Sequence, residues 1–232
     1  DLKSGFISVI GRPSAGKSTL INALCGFKVS IVSSIPQTTR NKIRGIVSLE
    51  EGQIVLVDTP GFHLSEKKMN LQLNELVLSS LQETDAILYV VDASRLIGEE
   101  EKRAISLVKQ SNLPTLIVIN KIDLTEDEGL SMKEKMESLL PVFPIATMDA
   151  LHSRGSHSIE VLSRQLLNLL PEGELLYPQE YVTDQDPEFR ISEIIREKAV
   201  NRLEQEIPHS LYVEIADLEQ HENEMWIRAF LV

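Results

Sequence analysis

Gly11-Arg12-Pro13-Ser14-Ala15-Gly16-Lys17-Ser18 has the residue types and spacing of a loop that cradles phosphates. Gly11 and Gly16 allow backbone torsions and a close approach that a Cβ would block. The amides of the loop, and those of the helix start at Ser18 and Thr19, can then point at phosphate oxygens. Lys17 would bring a positive charge to the β- and γ-phosphates, and Ser18 a hydroxyl to Mg²⁺. The competing reading is an accidental glycine-rich turn. Against it stands the context: an apolar run at Phe6–Ile10 reads as a buried strand, and a helical pattern runs from Lys17 through Leu24 to Gly26. The loop alone does not identify a base, because ATPases and small-molecule kinases share it.

Two further segments follow predicted strands. Asp58-Thr59-Pro60-Gly61-Phe62 offers a carboxylate that can hold Mg²⁺ through water, and a glycine whose backbone can meet a γ-phosphate. Alone it reads equally well as a strand-ending turn. Asn120-Lys121-Ile122-Asp123 addresses the base. The Asp123 carboxylate can accept from guanine N1–H and the N2 amine, a donor pair that adenine lacks on that edge. Asn120 would brace the site and Lys121 would lie along the base. Between the first two segments, Ile35 to Asn41 includes Thr38 and Thr39. A nucleotide switch needs a loop threonine that reaches Mg²⁺ when the γ-phosphate is present; Thr39 is the candidate and Thr38 the alternative. Phe62 offers no polar group to orient a water, and His63 beside it reads as an exposed loop histidine. Lys17, Thr39 and Gly61 are therefore the expected transition-state residues, with no side-chain general base.

These residues need a scaffold. Strand-like runs at Gly45–Leu49, Gln53–Asp58, Ala86–Asp92, Thr115–Asn120 and Val142–Ala146 alternate with helical patterns around 71–82, 99–111, 130–140 and 158–170. The alternation predicts an α/β domain over 1–170, a mostly parallel sheet with helices on both faces. Glu50-Glu51-Gly52 should join one antiparallel hairpin. Residues 171–188, with three prolines and several acids, carry a linker signature. From 189 to 232 the pattern is helix, strand, strand: Ile191, Ile194, Ile195, Ala199 and Leu203 share a helical face, Leu211, Val213 and Ile215 alternate, and Met225–Val232 reads as another strand. This tail is expected to be an incomplete α+β domain.

Composition narrows the classes. The 232 residues are 42% hydrophobic and 25% charged, ordinary for a globular chain. No run approaches the ~20 apolar residues of a membrane-spanning helix. Cys25 is the single cysteine, read as a buried structural thiol, and the five histidines show no metal-ligand spacing. The net charge of −12 is uneven, with residues 172–232 at −10. So acidic a tail is a poor partner for RNA or an anionic membrane and predicts weak RNA binding by this length of chain.

With these motifs in this order, the sequence resembles the TrmE-Era-EngA-like P-loop GTPases, and among them the bacterial ribosome-assembly members. The stretches that carry the likeness are Gly11–Ser18, Gln37–Arg40, Asp58–Phe62, Asn120–Asp123, Tyr181–Asp184, Ser192–Lys198 and Pro208–Ser210. The resemblance implies a cytoplasmic GTP-hydrolysing switch that uses GTP/GDP and Mg²⁺. It also implies a KH-type RNA-binding domain, of which 189–232 would be the N-terminal part. Its implied partners are small-subunit ribosomal RNA and the 30S subunit during assembly, with peripheral contact at the inner membrane and no DNA. Ser14 stands where many relatives carry an Asn that helps K⁺ reach the site, which weakens the expectation of K⁺. The guanine-contacting loop, commonly Ser-Ala, is replaced by Ile145-Ala146-Thr147, placing Ala146 and Thr147 at the base through backbone contacts. A nucleotide-gated RNA docking module with incidental hydrolysis is the rival reading; an ATP-dependent kinase or ATPase is disfavoured by Asp123.

Overall fold

The computed structural model describes residues 2–30, 43–58, 81–153, 157–200, 202, 211–222 and 224–232. Strands β1 (Lys3–Ile10), β2 (Ile43–Leu49), β3 (Gly52–Asp58), β4 (Ala86–Asp92), β5 (Thr115–Asn120) and β6 (Ile145–Thr147) form one six-stranded sheet in the order β2-β3-β1-β4-β5-β6. All neighbours are parallel except the β2–β3 hairpin, as the pattern predicts.

Alternation along the central strands divides the core. In β4, Leu88 and Val90 face one hydrophobic cluster, which includes Leu20 and Ile21 of α1 (Lys17–Cys25) and Leu162 and Leu166 of a later helix at His157–Asn168. Ile87, Tyr89 and Val91 face the other, with Ala104 and Val108 of α2 (Glu99–Ser111) and Met132 and Met136 of α3 (Leu130–Leu139). The helix at His157–Asn168 is α4. Covered on both faces, β3, β4 and β5 are buried throughout, which is why their sequences are near-continuous apolar runs.

One expectation needs correction. The last strand is Ile145–Thr147, not Val142–Ala146: Pro141 and Pro144 flank Val142, which is 80% exposed in a turn. Of the expected helix at 71–82, all but the end lies outside the described residues.

The 171–186 segment has linker composition but is fastened along the sheet. Ser4 N donates to the Pro171 carbonyl, and Gly173 N to that of Leu2. The fully buried Gln53 side chain accepts from the amides of Leu176 and Tyr177 and donates to the Tyr177 carbonyl. Ile46 N donates to Val182 O at 2.9 Å, and Gly45 bridges Thr183 antiparallel. Gly45 faces Cys25, whose Sγ would lie 2.6 Å from any added Cβ. Burial pushes that thiol up to about 12, so it is packing, not chemistry.

Beyond the strap, α5 (Pro187–Val200) packs on a two-stranded antiparallel sheet of β7 (Val213–Gln220) and β8 (Met225–Leu231). The expected apolar stripe on α5 is only partly covered: Ile194 is exposed, while Glu197 and Val200 are the buried residues. The reason is the small size of its described cover. Glu197 is buried because it pairs with Lys28, and the Arg190 guanidinium stacks over Phe27, 4.8 Å from the ring centre.

This pairing predicts an asymmetric mutational result. Lys28→Ala leaves a buried carboxylate unpaired and should cost about 1–3 kcal/mol. Replacing both partners with apolar residues should cost much less. Denaturant unfolding of the single and double variants measures the difference; equal losses would remove the pair from any role in docking α5.

Candidate functional site

The three sequence segments converge. The C-terminal ends of β1, β3 and β5 lie along one edge of the sheet, the position at which open α/β sheets bind ligands. β1 delivers the Gly11–Gly16 loop, β3 ends on Asp58, and β5 ends on Asn120.

The loop's glycines are required by contact. A Cβ on Gly11 would lie 2.4 Å from the Val90 carbonyl oxygen. Gly16, with φ 98°, ends the loop at the start of α1, and a Cβ there would lie 2.2 Å from Asn120 Nδ2. Between them Pro13 is half-buried, Ala15 is buried and Ser14 is exposed. Lys17 is buried, and its Nζ donates to the Gly11 carbonyl at 2.8 Å and that of Arg12 at 3.1 Å. Burial lowers its pKa, opposed by the charges of Asp58, Glu101 and Glu100. Ser18 and Thr19 lie half-buried on the first turn of α1. Asp58 is buried too, and desolvation raises its pKa to about 6 despite the opposing charge of Lys17.

At the base end, buried Asn120 donates through Nδ2 to the Ala15 carbonyl at 2.9 Å and accepts from the Ala150 amide at 2.9 Å. Lys121 reaches the Ser14 carbonyl at 2.5 Å and Asp92 Oδ2 at 2.8 Å. Half-buried Ile122 and exposed Asp123 belong to a short 3-10 turn.

Ala146 and Thr147, expected in the guanine loop, are instead strand residues. Thr147 is held in register opposite Ile119. The strand therefore fixes them, and the segment that meets Asn120 comes later, at Met148–Ser153, with Ala150 making the contact. In the same segment Asp149 pairs with His152, and the ligand atoms of Asp123, Asp149 and His152 lie within 4.8 Å of one another. The hydrogen bond to Asp149 raises the His152 pKa, helped by the charges of Asp149 and Asp123. Thr38, Thr39, Thr59, Pro60, Gly61, Phe62 and His63 lie outside the described residues.

Three residues escaped the sequence reading. Asp92 was read only as a strand end. Glu101 and Tyr89 support the loop from below: Arg12 Nη1 approaches Glu101 at 3.6 Å and donates to the Leu96 carbonyl at 3.1 Å, while buried Tyr89 donates its hydroxyl to Glu101. Burial raises both the Tyr89 and Glu101 pKa values. A tyrosine in an apolar run and a glutamate in a helix's first turn carry no local signal of such a pairing.

Asp58 yields a pH prediction. An unfolded aspartate titrates near ~3.9, so the folded chain binds more protons from there up to about 6. Stability of the nucleotide- and metal-free protein should fall as pH rises through that window, and the penalty should persist above it. In Asp58→Asn this loss should vanish, making the variant more heat-stable than wild type at pH 7. Melting curves from pH 4 to 8 in chelator test this; parallel profiles for the two proteins would contradict it.

Comparison with known proteins agrees with this geometry. The profile of the 50S ribosome-binding GTPase family matches residues 6–121. The chain is 52% identical to GTPase Era of Treponema denticola, covering 99% of this chain and 79% of that protein. It is 45% identical to GTPase Era of Borreliella burgdorferi, covering 98% and 78%. Among solved structures it is similar to Era in complex with MgGDPNP and nucleotides 1506–1542 of 16S ribosomal RNA, at TM-score 0.86 and 32% identity over 100% of this chain and 79% of that one. It is also similar to a point variant of Aquifex aeolicus Era bound to GDP·AlF4⁻, at TM-score 0.84 and 31% identity over 99% and 79%. With a motif-bearing edge of this geometry and relatives at these identities, the chain belongs to the Era family of GTPases.

Proposed function

We propose that the chain is a GTP-hydrolysing switch that binds small-subunit ribosomal RNA and acts in 30S assembly, working in the cytoplasm. The observation that supports it most is the convergence of the Gly11–Ser18 loop, Asp58 and Asn120–Asp123 on one sheet edge. A relative of the same fold is seated on 16S ribosomal RNA with MgGDPNP, which supports both ligands. The donors suit a magnesium nucleotide: a buried ammonium held on carbonyls, a glycine cradle with no room for a Cβ, and a buried carboxylate.

In this reading the loop amides and Lys17 bind the phosphates, and the ammonium exchanges its Gly11 and Arg12 carbonyl contacts for phosphate oxygens. Ser18 and Asp58, the latter through water, would hold Mg²⁺, which when bound neutralises charge developing on the β- and γ-oxygens. Thr39 and Gly61 complete the γ-phosphate side. Asp123 reads guanine N1–H and N2, and Asn120 holds the base loop to the phosphate loop. Residues 1–170 are the nucleotide domain, 171–188 the connection, and 189–232 the start of a KH-type domain that faces RNA. Residues 172–232 together carry −10, so RNA affinity must come from local basic or backbone contacts and should be salt-sensitive. No helix among the described residues is long and apolar enough to cross a bilayer.

The test is nucleotide competition and turnover. ATP should fail to displace labelled GDP at equal concentration, and Asp123→Asn should weaken GDP binding by about a hundredfold or more while favouring xanthine nucleotides. Equal displacement by ATP would overturn the base assignment. Unstimulated hydrolysis should be on the order of 10⁻⁴–10⁻² s⁻¹, because Phe62, the residue after Gly61, has no polar group to orient the water. Several turnovers per second without a partner, or a hundredfold loss in His63→Ala, would show that a catalytic group has been overlooked.

A further inference from the structure

Asp92 closes β4 and stands opposite Asn120 in the β4–β5 register. Its side chain is 1% exposed, and both carboxylate oxygens are engaged. Oδ2 accepts from Lys121 Nζ at 2.8 Å; Oδ1 accepts from the Ser94 amide at 2.9 Å and its hydroxyl at 2.6 Å. Burial opposes its ionisation, but the hydrogen bonds from Lys121 and Ser94 outweigh that and hold the carboxyl below its usual range. The turn after β4 thus fixes the carboxylate, and the carboxylate fixes the lysine.

The same ammonium also donates to the Ser14 carbonyl in the phosphate loop. Lys121 and Ser14 both have left-handed backbone, each at φ 62°, a conformation that costs non-glycine residues energy. A buried carboxylate at a strand end is expensive for folding alone, where an apolar side chain would serve as well. What an apolar residue could not do is hold a long, flexible lysine in one rotamer between the two ligand loops.

We infer that Asp92 is a positioning residue for guanine recognition: it acts through Lys121, presetting that side chain along the base plane and tying the base loop to the phosphate loop. This rests on the guanine-nucleotide reading of the same site. The Asp92 carboxylate is taken up by Lys121 and Ser94, so its influence on the base runs through the lysine. Preordering Lys121 removes an entropy cost from binding, and the expected signature is slower nucleotide release.

The experiment is stopped-flow release of fluorescently labelled GDP from the full 232-residue chain. The variants are Asp92→Ala, Lys121→Ala, the double variant, and Asp123→Ala. Losing a charge-assisted hydrogen bond at Asp92 should speed release about tenfold. The double variant should release no faster than Lys121→Ala, since the aspartate acts only through the lysine. A purely structural turn-capping role would instead give effects that multiply, and that result, or wild-type release from Asp92→Ala, overturns the proposal. If the alanine variants do not fold, Asp92→Asn, which keeps an acceptor for Ser94 without the charge, and Lys121→Met make the same comparison. Asp123→Ala separates the two levels. If it abolishes retention while the Asp92 variants are silent, only the positioning role fails. If it too releases GDP as wild type does, the guanine reading itself fails.

Discussion

One carboxamide organises the ligand edge. Asn120 donates to Ala15 in the loop after β1 and accepts from Ala150 in the loop after β6, so a single buried side chain sets the distance between these two loops. Its amide has two donors and an acceptor in fixed geometry, which a carboxylate or an aliphatic chain of equal size could not reproduce. The closeness of that contact forbids a side chain at position 16, and so dictates the loop's second glycine. Buried polar groups of this kind are stable only when fully satisfied, and the strands that carry them must be rigid. The apolar layers on the two faces of β4 and β5 supply that rigidity.

Around this clasp the chain concentrates buried charge. Lys17, Asp58, Asp92, Glu101 and the partly covered Arg12 lie at or just beneath the same edge. Each is costly to desolvate; burial shifts Lys17, Asp58 and Glu101 toward their neutral forms, while Lys121 and Ser94 hold Asp92 charged. Such an arrangement is already polarised before a polyanion and a divalent cation arrive, so little reorganisation is needed on binding. Stability spent here is recovered from the hydrophobic clusters elsewhere in the domain.

Two of the strands buried on both faces are legible in full: Ala86–Asp92 and Thr115–Asn120 are read from sequence with their observed bounds, because no solvent face interrupts the apolar run, while β3 starts one residue earlier than read, at Gly52. Glycine spacing pointed to the tight loop between β1 and α1, since close contact restricts what those positions tolerate. The short edge strand was misplaced because Val142 looked like core but stands between two prolines in a turn. The turn expected at Ala146 comes later, around Ala150, because strand register, not residue type, decides where the chain becomes free to turn. Asp92, Tyr89 and Glu101 were missed because their partners are distant in the chain. Residues 171–188 read as a linker from composition, yet what fastens the strap at 171–186 is the buried Gln53, a residue with no local hint of such a task.

That strap changes how the sheet meets other molecules. A hairpin strand at the outside of a sheet normally presents unpaired amides and carbonyls that can recruit a strand from another chain. Here Val182 and Thr183 take up part of that ladder on β2, and the opposite border is only the three-residue β6. Neither border leaves a long template for strand addition. The domain thereby carries its own protection against β-sheet growth, supplied by the few residues of the strap that lie along β2.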